Sequence, residues 1–390
     1  MSQTQSQIMS QQSEVEEEAK PVLTASVHDV RYFSALLKGI NLSNSNHASV
    51  TLTREGGMIV IVEEGRTLLA TSYIYPDHFD AWDYTIPEPT RVLSSQLSDL
   101  SKADDPEDDR STSFEIPLNT LIECLNIFGT ANLSAATSSA KTKKWRRGED
   151  ESDNERGGDN EDNRGGGRGR HRQRESSNAP NNSRLEQYFG ANHEKRTSMR
   201  LSYGGSGYPL TLLLAEDSTG PTTTCEITTY DPEPMIELPF DGDQTVLKII
   251  FKSSSWLREA LSELDPSCDK ITFISNPADD VRRAQPRNAA TKPLFRILAT
   301  GSFGSTEMDY PNDREVLETF ECTHPISVSY RFGHINKTLR ALQSSTKTSL
   351  RIEEEGLLSL QFLVPVPKPR GGMSQSFIEF RCLALDDNAE

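Results

Sequence analysis

The chain has 390 residues, a net charge of −17, a hydrophobic content of 34% and a mean hydropathy of −0.58. The length allows two domains of ordinary size, while the low hydrophobic content indicates that part of the chain forms no core. The acidic charge disfavours nucleic-acid binding by the surface as a whole, and five widely spaced cysteines without a CxxC motif indicate neither a disulfide framework nor a zinc site, so a reducing compartment is expected.

The N-terminal region predicts a tail, a strand and a helix. Residues 1–21 are rich in Gln, Ser and Glu and lack the apolar core of a secretory signal. A strand over 22–27 leads into a helix over 30–40, whose apolar residues recur at helical spacing. His28 and Asp29 stand where an N-cap is expected.

Glycine turns divide residues 48–75 into a predicted β-meander, and Pro117 opens a second helix that reaches to residue 128. The longest apolar runs, such as 58–62 and 247–251, have the length of strands. A membrane span needs about 20 apolar residues, so no membrane span is predicted.

Residues 131–196 form a low-complexity segment that is not expected to fold alone. Its Lys/Arg-rich stretch at 141–147 could serve nuclear import, and its Arg/Gly-rich stretch at 164–170 is similar to nucleic-acid-binding RGG segments. A tolerated surface loop without a role is the alternative.

The second half predicts the same order of elements as the first. A strand at 246–251 leads to a helix at 256–264, strands follow around 271–274 and 294–299, and another helix covers 332–342.

A short echo sets the register of this duplication. The pattern Thr-Ser-apolar-Arg-apolar occurs at 197–201 and again at 348–352. The interval between the preceding helix and the echoed stretch is longer in the first half than in the second. The excess is almost the length of the low-complexity segment. That segment is therefore predicted to be an insertion within the first domain, and the domain boundary is expected near the two prolines of 228–234.

The predicted helices carry basic residues on faces that turn away from their apolar stripes. The third helix also carries Glu259 and Glu263, and the second carries Glu123 and no basic residue. Such faces suit non-specific phosphate contact, and ordinary solubilising charge is the alternative. The candidate DNA-facing residues are Arg31, Lys38, Lys252, Arg258, Arg331, His334, Lys337 and Arg340.

Five blocks together resemble a known family. They lie at 23–31, 121–129, 203–210, 257–265 and 356–361. In these blocks the chain is similar to DNA sliding clamps of the PCNA superfamily, and within it to the Rad-one subunits of heterotrimeric nine-one-one checkpoint clamps. Apart from the insertion, the resemblance covers essentially the whole chain after its N-terminal tail.

The resemblance implies an α+β fold of two tandem PCNA-like DNA-clamp domains, with antiparallel sheets and two helices each on one face. Three subunits would form a ring whose helices line the DNA channel. The expected parts are a tail at 1–21, domain 1 at 22–227 with a disordered insertion at 131–196, a connector at 228–240, domain 2 at 241–386 and a tail at 387–390.

Edge strands at 222–229 and 304–310 would pair across subunits, since head-to-tail contacts close a ring and cover exposed edges. The candidate interface residues are Thr222, Thr224, Glu226, Thr228, Ser305, Glu307 and Asp309. Partner proteins are expected to dock beside the connector, at Tyr230, Asp231, Pro232 and Met235.

The function implied by the resemblance is that of a non-enzymatic subunit of a nuclear clamp, which acts as a platform in DNA-damage checkpoint signalling and repair. The implied partners are two other clamp subunits, duplex DNA, a clamp loader, and checkpoint and repair proteins. No cofactor, metal or membrane is implied.

Two other functions stay open. A 3′–5′ exonuclease activity is attributed to members of the family, and two-metal chemistry needs several converging carboxylates. Asp80 with Asp83 and Glu263 with Asp265 are the nearest candidates, although a loop and a helix end explain them as well. The glycines of 204–207 are typical of a hairpin turn and do not match a P-loop. An RNA-binding protein that acts through the Arg/Gly stretch is the third hypothesis.

Overall fold

A computed structural model describes most of the chain outside the tails and the predicted insertion. The described residues are 21–43, 47–86, 111–129, 131, 196–216, 220–278, 293–310, 313–369 and 371–386. Residues 1–20 and 387–390 of the predicted tails and the basic stretches of the predicted insertion lie outside these ranges. Within them, no helix is long and apolar enough to cross a membrane.

Within the described ranges, the first half contains nine strands and two α-helices. In chain order they are β1 Leu23–Val27, α1 Val30–Gly39, β2 His47–Thr53, β3 Gly57–Glu64, β4 Leu68–Ile74, β5 Ala81–Tyr84, β6 Thr112–Pro117, α2 Leu118–Leu125, β7 Ser198–Tyr203, β8 Leu210–Ala215 and β9 Thr222–Ile227. Asp29 caps α1 as predicted, since its carboxylate accepts the Arg31 N–H. The α2 helix ends three residues before Phe128, and Gly129 follows with a positive φ of 71°.

The second half repeats this order. Its strands and α-helices in the described residues are β10 Thr245–Phe251, α3 Ser255–Ser262, β11 Cys268–Ser275, β12 Phe295–Gly301, β13 Gly304–Tyr310, β14 Leu317–Cys322, β15 Ile326–Arg331, α4 Phe332–Lys337, α5 Leu339–Ser344, β16 Lys347–Glu353, β17 Leu358–Pro367 and β18 Met373–Cys382. The single helix predicted at 332–342 is two short helices. They meet at Thr338, whose hydroxyl donates to the Ile335 carbonyl 2.7 Å away and competes with the regular helical pattern.

The two halves also share the same strand order within their sheets. In the first half the orders are β5-β1-β7-β8-β9 and β4-β3-β2-β6. In the second half the equivalent orders are β14-β10-β16-β17-β18 and β13-β12-β11-β15. The paired strands are antiparallel in every case recorded for these sheets, and the predicted fold class is confirmed.

The echoed stretch forms an equivalent strand in each half. Met199 and Leu201 of β7 are buried, and so are Leu350 and Ile352 of β16. Each strand pairs with the first strand of its own half, β1 or β10. The echo is therefore part of the core, because alternate residues of a strand point to the same face.

The two halves are joined by one strand pairing. The last strand, β18, pairs with β4 and merges two sheets into a nine-stranded sheet. Phe380 lies opposite Ala70 and Cys382 opposite Leu68, and the Leu383 N–H donates to the Thr67 carbonyl at 3.0 Å. We call this pairing the closed junction.

The helices pack as one layer, with α1 between α2 and α5, and with α3 on α5. A Cβ atom at Gly39 would lie 2.5 Å from Cδ1 of Ile378, which shows how closely the end of α1 packs against β18. Arg340 of α5 donates to the Asn41 carbonyl at 2.9 Å, and Asn41 donates to Asn119 at 2.7 Å. The first contact connects the two halves, and the second connects the end of α1 to α2 within the first half.

The segment between the halves, residues 228–241, crosses the opposite face of the nine-stranded sheet. Tyr230 and Glu115 of β6 exchange two backbone hydrogen bonds, of 2.8 and 2.9 Å. Arg381 of β18 donates to the Leu238 carbonyl at 2.9 Å. Because Arg381 and its neighbour Phe380 point to opposite faces, this segment and the buried core lie on opposite sides of β18.

Candidate functional site

The helix layer is basic although the chain is acidic. The five described helices contain five lysine or arginine residues and two glutamates, against a net charge of −17 for the whole chain. Local charge of this sign is what a phosphate-facing surface requires. The side chains differ widely, however, in how far they reach solvent.

Arg31 is not displayed on the helix surface, and the prediction that it faces DNA is corrected. Its side chain is 8% exposed, and its guanidinium binds Asp29 through Nη2 at 2.8 Å and Nε at 3.0 Å. Burial raises the pKa of Asp29, but the hydrogen bonds from Arg31 outweigh it and bring that pKa below its usual value. This buried ion pair stabilises the start of α1.

His334 is also turned inward, which corrects its predicted role. It is 7% exposed, and its Nδ1 lies 3.7 Å from the Cys382 sulfur at the closed junction. Burial, together with the charge of Arg331, lowers the pKa of His334. The ring is therefore neutral near pH 7 and contributes packing rather than positive charge.

Three predicted lysines are held by other groups. Lys38 is half-buried and donates to the Ala131 carbonyl at 2.9 Å, and burial lowers its pKa. Lys252 binds Glu315 at 2.6 Å, and Lys337 binds Glu64. The carboxylate beside each lysine partly cancels its positive charge. Lys252 and Lys337 therefore attract phosphate less strongly than unpaired lysines would.

Three arginines remain the best placed for phosphate contact. Arg331 is exposed at the end of β15, Arg340 is exposed on α5, and Arg258 is half-buried on α3. Trp256, near the start of α3, is 43% exposed. Exposed Arg and Trp side chains are both suited to a nucleic-acid surface.

The outer edges of β9 and β13 are not covered by any strand within the described ranges. We call them the open edges. On β9, Thr222, Thr224 and Glu226 are exposed, as is Thr228 just beyond the end of the strand at Ile227.

On β13, Ser305, Glu307 and Asp309 are exposed, and Arg296 of the neighbouring β12 binds Glu307 and Asp309, each at 2.6 Å. Phe303, at the turn before β13, is 88% exposed. No sequence pattern singles out Phe303, because a lone Phe in a polar turn has no periodicity.

The connector presents its predicted docking residues on the surface. Tyr230, Asp231 and Pro232 are exposed and Met235 is half-buried. The Tyr230 ring stacks on His47, with centroids 5.2 Å apart.

A buried acid supports the middle of the connector. Glu379 is 3% exposed and accepts from Arg381 at 2.9 Å and from Ser359 at 2.8 Å. Arg351 lies 4.6 Å above the Phe240 ring. This network could not be predicted from sequence, since its members come from three strands and the connector.

The candidate carboxylates for metal chemistry are engaged locally. Asp80 lies 3.0 Å from Nδ1 of His28, and Asp83 lies in β5. Asp265 accepts the Ser267 N–H at 2.8 Å, and Glu263 ends α3. In the described part of the chain, no three His, Cys, Asp or Glu side chains lie together as a metal site would require.

Known proteins resemble the chain along most of its length. The family model described as "Repair protein Rad1/Rec1/Rad17" matches residues 22–364. Human "Cell cycle checkpoint protein RAD1" is 26% identical, over 88% of this chain and 86% of that protein. "DNA repair exonuclease REC1" of Mycosarcoma maydis is 28% identical, over 93% and 96%.

The fold has a solved counterpart. The crystal structure of proliferating cellular nuclear antigen from Entamoeba histolytica superposes with a TM-score of 0.54, covering 94% of this chain and all of that one, at 11% identity. At this identity the likeness shows the fold alone. The chain adopts the PCNA-like clamp fold and belongs to the Rad1/Rec1/Rad17 family of repair proteins.

Proposed function

We propose that this protein is one subunit of a heterotrimeric ring that encircles duplex DNA and serves as a platform for checkpoint and repair proteins in the nucleus. The observation that carries the proposal is the repeat of strand order, which makes the open edges equivalent to the two strands of the closed junction. Relatives named as checkpoint and repair proteins agree with it.

The closed junction supplies a template for ring closure. By the repeat, β9 is equivalent to β18 and β13 is equivalent to β4. A β9 edge from one subunit would therefore pair with a β13 edge from the next, as β18 pairs with β4 within this chain. Such head-to-tail pairing closes into a ring if the rotation between subunits is right.

The template also sets a register. Matching the ladders of the two halves makes Thr224 equivalent to Arg381 and Ser305 equivalent to Leu69, which lie opposite each other in the junction. Position 224 of one subunit would then face the position matching Ser305 in its neighbour. In the same register, Phe303 corresponds to Thr67, so its exposed ring would lie against the neighbour's residue matching Glu226.

The helix layer would face DNA inside the ring. The exposed arginines Arg258, Arg331 and Arg340 are the proposed contacts, with Lys38, Lys252 and Lys337 contributing less. Contact would be with phosphates and independent of sequence, and it would weaken as salt is raised. The connector, with Tyr230 at its start, is the proposed docking surface for partner proteins.

A topological assay tests this function. The assembled ring, loaded on nicked circular DNA, is expected to stay bound at high salt and to slide off once the circle is linearised. If salt releases the protein equally from circular and from linear DNA, the binding is ordinary surface binding.

A metal-dependent 3′–5′ exonuclease is the second candidate, favoured by the name of the Mycosarcoma maydis relative. It predicts magnesium- or manganese-dependent loss of nucleotides from DNA 3′ ends. The loss should disappear in Asp80→Asn or Asp83→Asn variants, and the exposed Asp231→Asn is the matched control. Activity unchanged by the first two variants would assign it to a contaminant or to other carboxylates.

The Arg/Gly-rich segment tests the third hypothesis, an RNA-binding protein. Deleting residues 134–195 leaves the described parts of the chain intact. A ring subunit should still assemble without the segment, whereas an RNA binder that acts through it should lose its function.

A further inference from the structure

An exposed tryptophan lies where α3 meets the end of β13. Trp256 is 43% exposed, although a tryptophan side chain usually buries most of its large apolar surface. The hydroxyl of Tyr310, the last residue of β13, donates to the Trp256 carbonyl at 3.1 Å. The Tyr310 ring is buried against Phe251 and Phe295, with centroids 5.5 and 5.4 Å away. The start of α3 is therefore fixed to the end of an open edge, opposite the end that carries Phe303.

Trp256 has an equivalent in the first half. The helices α1 and α3 follow the first strand of each half, and their buried residues recur at the same intervals. These residues are Phe33, Leu37 and Ile40 in the first half and Leu257, Leu261 and Leu264 in the second. The residue just before Phe33 is Tyr32, and the residue just before Leu257 is Trp256. Tyr32 and Trp256 therefore occupy the same position in the two halves.

At the closed junction, a hairpin covers the position of Tyr32. Tyr32 shares the wall of a small surface cavity with Val366 and Pro367, from the end of β17, and with Ile74, the last residue of β4. Tyr32 is partly buried and packs against the core. Matching the ladders makes Ile74 equivalent to Tyr310. The β17–β18 hairpin thus extends the closed junction from β4 onto α1.

The open edge of this chain carries a shorter hairpin. By the repeat, β8–β9 is equivalent to β17–β18, but its strands have six residues each instead of ten. Four fewer residues make the hairpin about 13 Å shorter, at about 3.3 Å per residue. With Leu212 equivalent to Leu358, β8 ends at Ala215 and has no residue that matches Val366. A second copy of this chain, paired through its β9, would therefore leave Trp256 exposed.

Polar contacts also hold the hairpin at the closed junction. In the turn after β4, Asp77 accepts the Ser374 hydroxyl at 2.8 Å and lies 2.9 Å from Nζ of Lys368, and both partners belong to the β17–β18 hairpin. In the corresponding turn after β13, Asp313 is exposed, and one of its carboxylate oxygens accepts the Glu315 N–H at 2.9 Å. A hairpin that reaches this turn would find in Asp313 an acceptor for a basic side chain.

We propose that Trp256 is the seat for the tip of a long edge hairpin in the neighbouring clamp subunit, and that this seat selects such a subunit over a second copy of this chain. The proposal rests on the ring proposed above. The tip would place an apolar side chain on the indole and a basic one near Asp313, with Val366 and Lys368 of the closed junction as the model. A buried tryptophan is a frequent anchor of protein interfaces, and leaving it exposed penalises the wrong partner.

Fluorine NMR of the full chain, labelled with 5-fluorotryptophan, tests the seat. The sequence contains three tryptophans, and the Trp256→Phe variant identifies the Trp256 signal. The chain is titrated separately with each of the two other clamp subunits and with duplex DNA, and it is also concentrated alone. Only the subunit that binds the β13 edge should shift the Trp256 signal, because only its hairpin covers the indole.

Variants connect the shift to affinity. Trp256→Ala should weaken binding of the β13-side subunit by about 30-fold, as for a buried aromatic anchor. Trp256→Tyr should retain most of the affinity, since it restores the residue found at the closed junction. The control Met373→Ala removes an exposed apolar side chain from the β17–β18 hairpin of this chain and should change nothing.

The outcomes separate the seat from the ring. If the β13-side subunit binds but the Trp256 signal stays in place, or if Trp256→Ala binds as tightly as the wild type, the seat is wrong and the ring stands. If neither subunit binds, both proposals are overturned. A shift caused by DNA alone would assign Trp256 to the DNA surface instead. A shift on concentrating the chain alone would overturn the selection against a second copy.

Discussion

β4 and β13 are equivalent strands of the two halves, but they meet different surroundings. On β4, Leu68 and Ala70 are fully buried and pair with Cys382 and Phe380 of β18. On β13, the equivalent positions are Gly304 and Thr306, and both are exposed. The same place in the fold holds buried apolar side chains where the chain covers it, and an exposed glycine and threonine where the chain leaves it open.

Under the proposed ring closure, the difference matches the stage at which each edge is covered. The closed junction forms as the chain folds and can be apolar, since it never meets water in the native protein. In the proposed ring, an open edge stays exposed to water until the neighbouring subunit binds, and its polar residues protect it from indiscriminate pairing. We propose that Phe303, next to β13, anchors the contact of the ring that forms later.

The largest expected effect comes from breaking the closed junction. Phe380 is 1% exposed and meets Phe362 edge to face, with centroids 5.7 Å apart. Phe380→Ala should lower the free energy of unfolding by about 3–5 kcal/mol, because it removes a large buried ring and leaves a cavity. Chemical denaturation measures it. A loss below about 1 kcal/mol would mean that the halves hold together without this pairing.

Breaking an open edge should affect assembly and leave folding intact. Phe303→Ser is expected to weaken binding of the subunit on the β13 side by about 30-fold, or about 2 kcal/mol, as for a buried aromatic anchor. Stability should change by less than about 0.5 kcal/mol, since the ring is 88% exposed. Binding is measured by pairwise titration.

The control for that variant is Met373→Ser, which removes a side chain that is 60% exposed at the start of β18. It should leave both subunit contacts unchanged. Phe303→Ser could weaken the contacts at the β13 side and the β9 side equally, or weaken neither of them. Either result would show that the register taken from the closed junction is wrong.

Charge-reversal variants in the helix layer test the proposed DNA contacts. Arg258→Glu and Arg340→Glu should each flatten the dependence of log affinity on log salt by about 0.9, the value for one phosphate contact. Lys337→Glu should have less effect, because Glu64 already binds that lysine. DNA-binding isotherms at several salt concentrations measure the slopes. If every variant has the same slope as the wild type, these residues do not contact DNA.

The smallest effect is a pH dependence at the closed junction. Burial lowers the pKa of His334, so the unfolded chain binds a proton more readily than the folded one. Its contribution is present above the unfolded pKa of about 6.5 and is lost as pH falls towards the lower folded value. Arg331, Lys337, Glu64 and Cys382 surround the ring.

Melting temperatures at pH 7.5 and 5.5 test this dependence. The decrease on acidification should be smaller in His334→Gln than in the wild type. The exposed His324→Gln should keep the full decrease, and an identical decrease in all three proteins would show that His334 does not contribute.

Local patterns predicted much of the fold. The Asp29 cap, the echoed strands and the hairpin at 204–207 all depend on neighbours in sequence, and the structure contains them. The break at Thr338 was missed, because the apolar spacing continues across it. Its cause is a single hydroxyl.

The candidate site was harder to predict, since exposure depends on contacts between distant residues. Helical projection placed Arg31 and Lys337 on polar faces, but it cannot show that Asp29 and Glu64 bind them. His334 is buried by β18, which follows it by more than 35 residues in the sequence. The domain boundaries and the role of the insertion remain predictions.

The central claim, that the open edges close a ring with two different clamp subunits, is tested most directly by native mass spectrometry of the three proteins expressed together. The account predicts a single complex with one copy of each subunit, which Thr224→Pro and Phe303→Ser should each convert to open, incomplete forms. A chain that remains monomeric beside its two intended partners would contradict it.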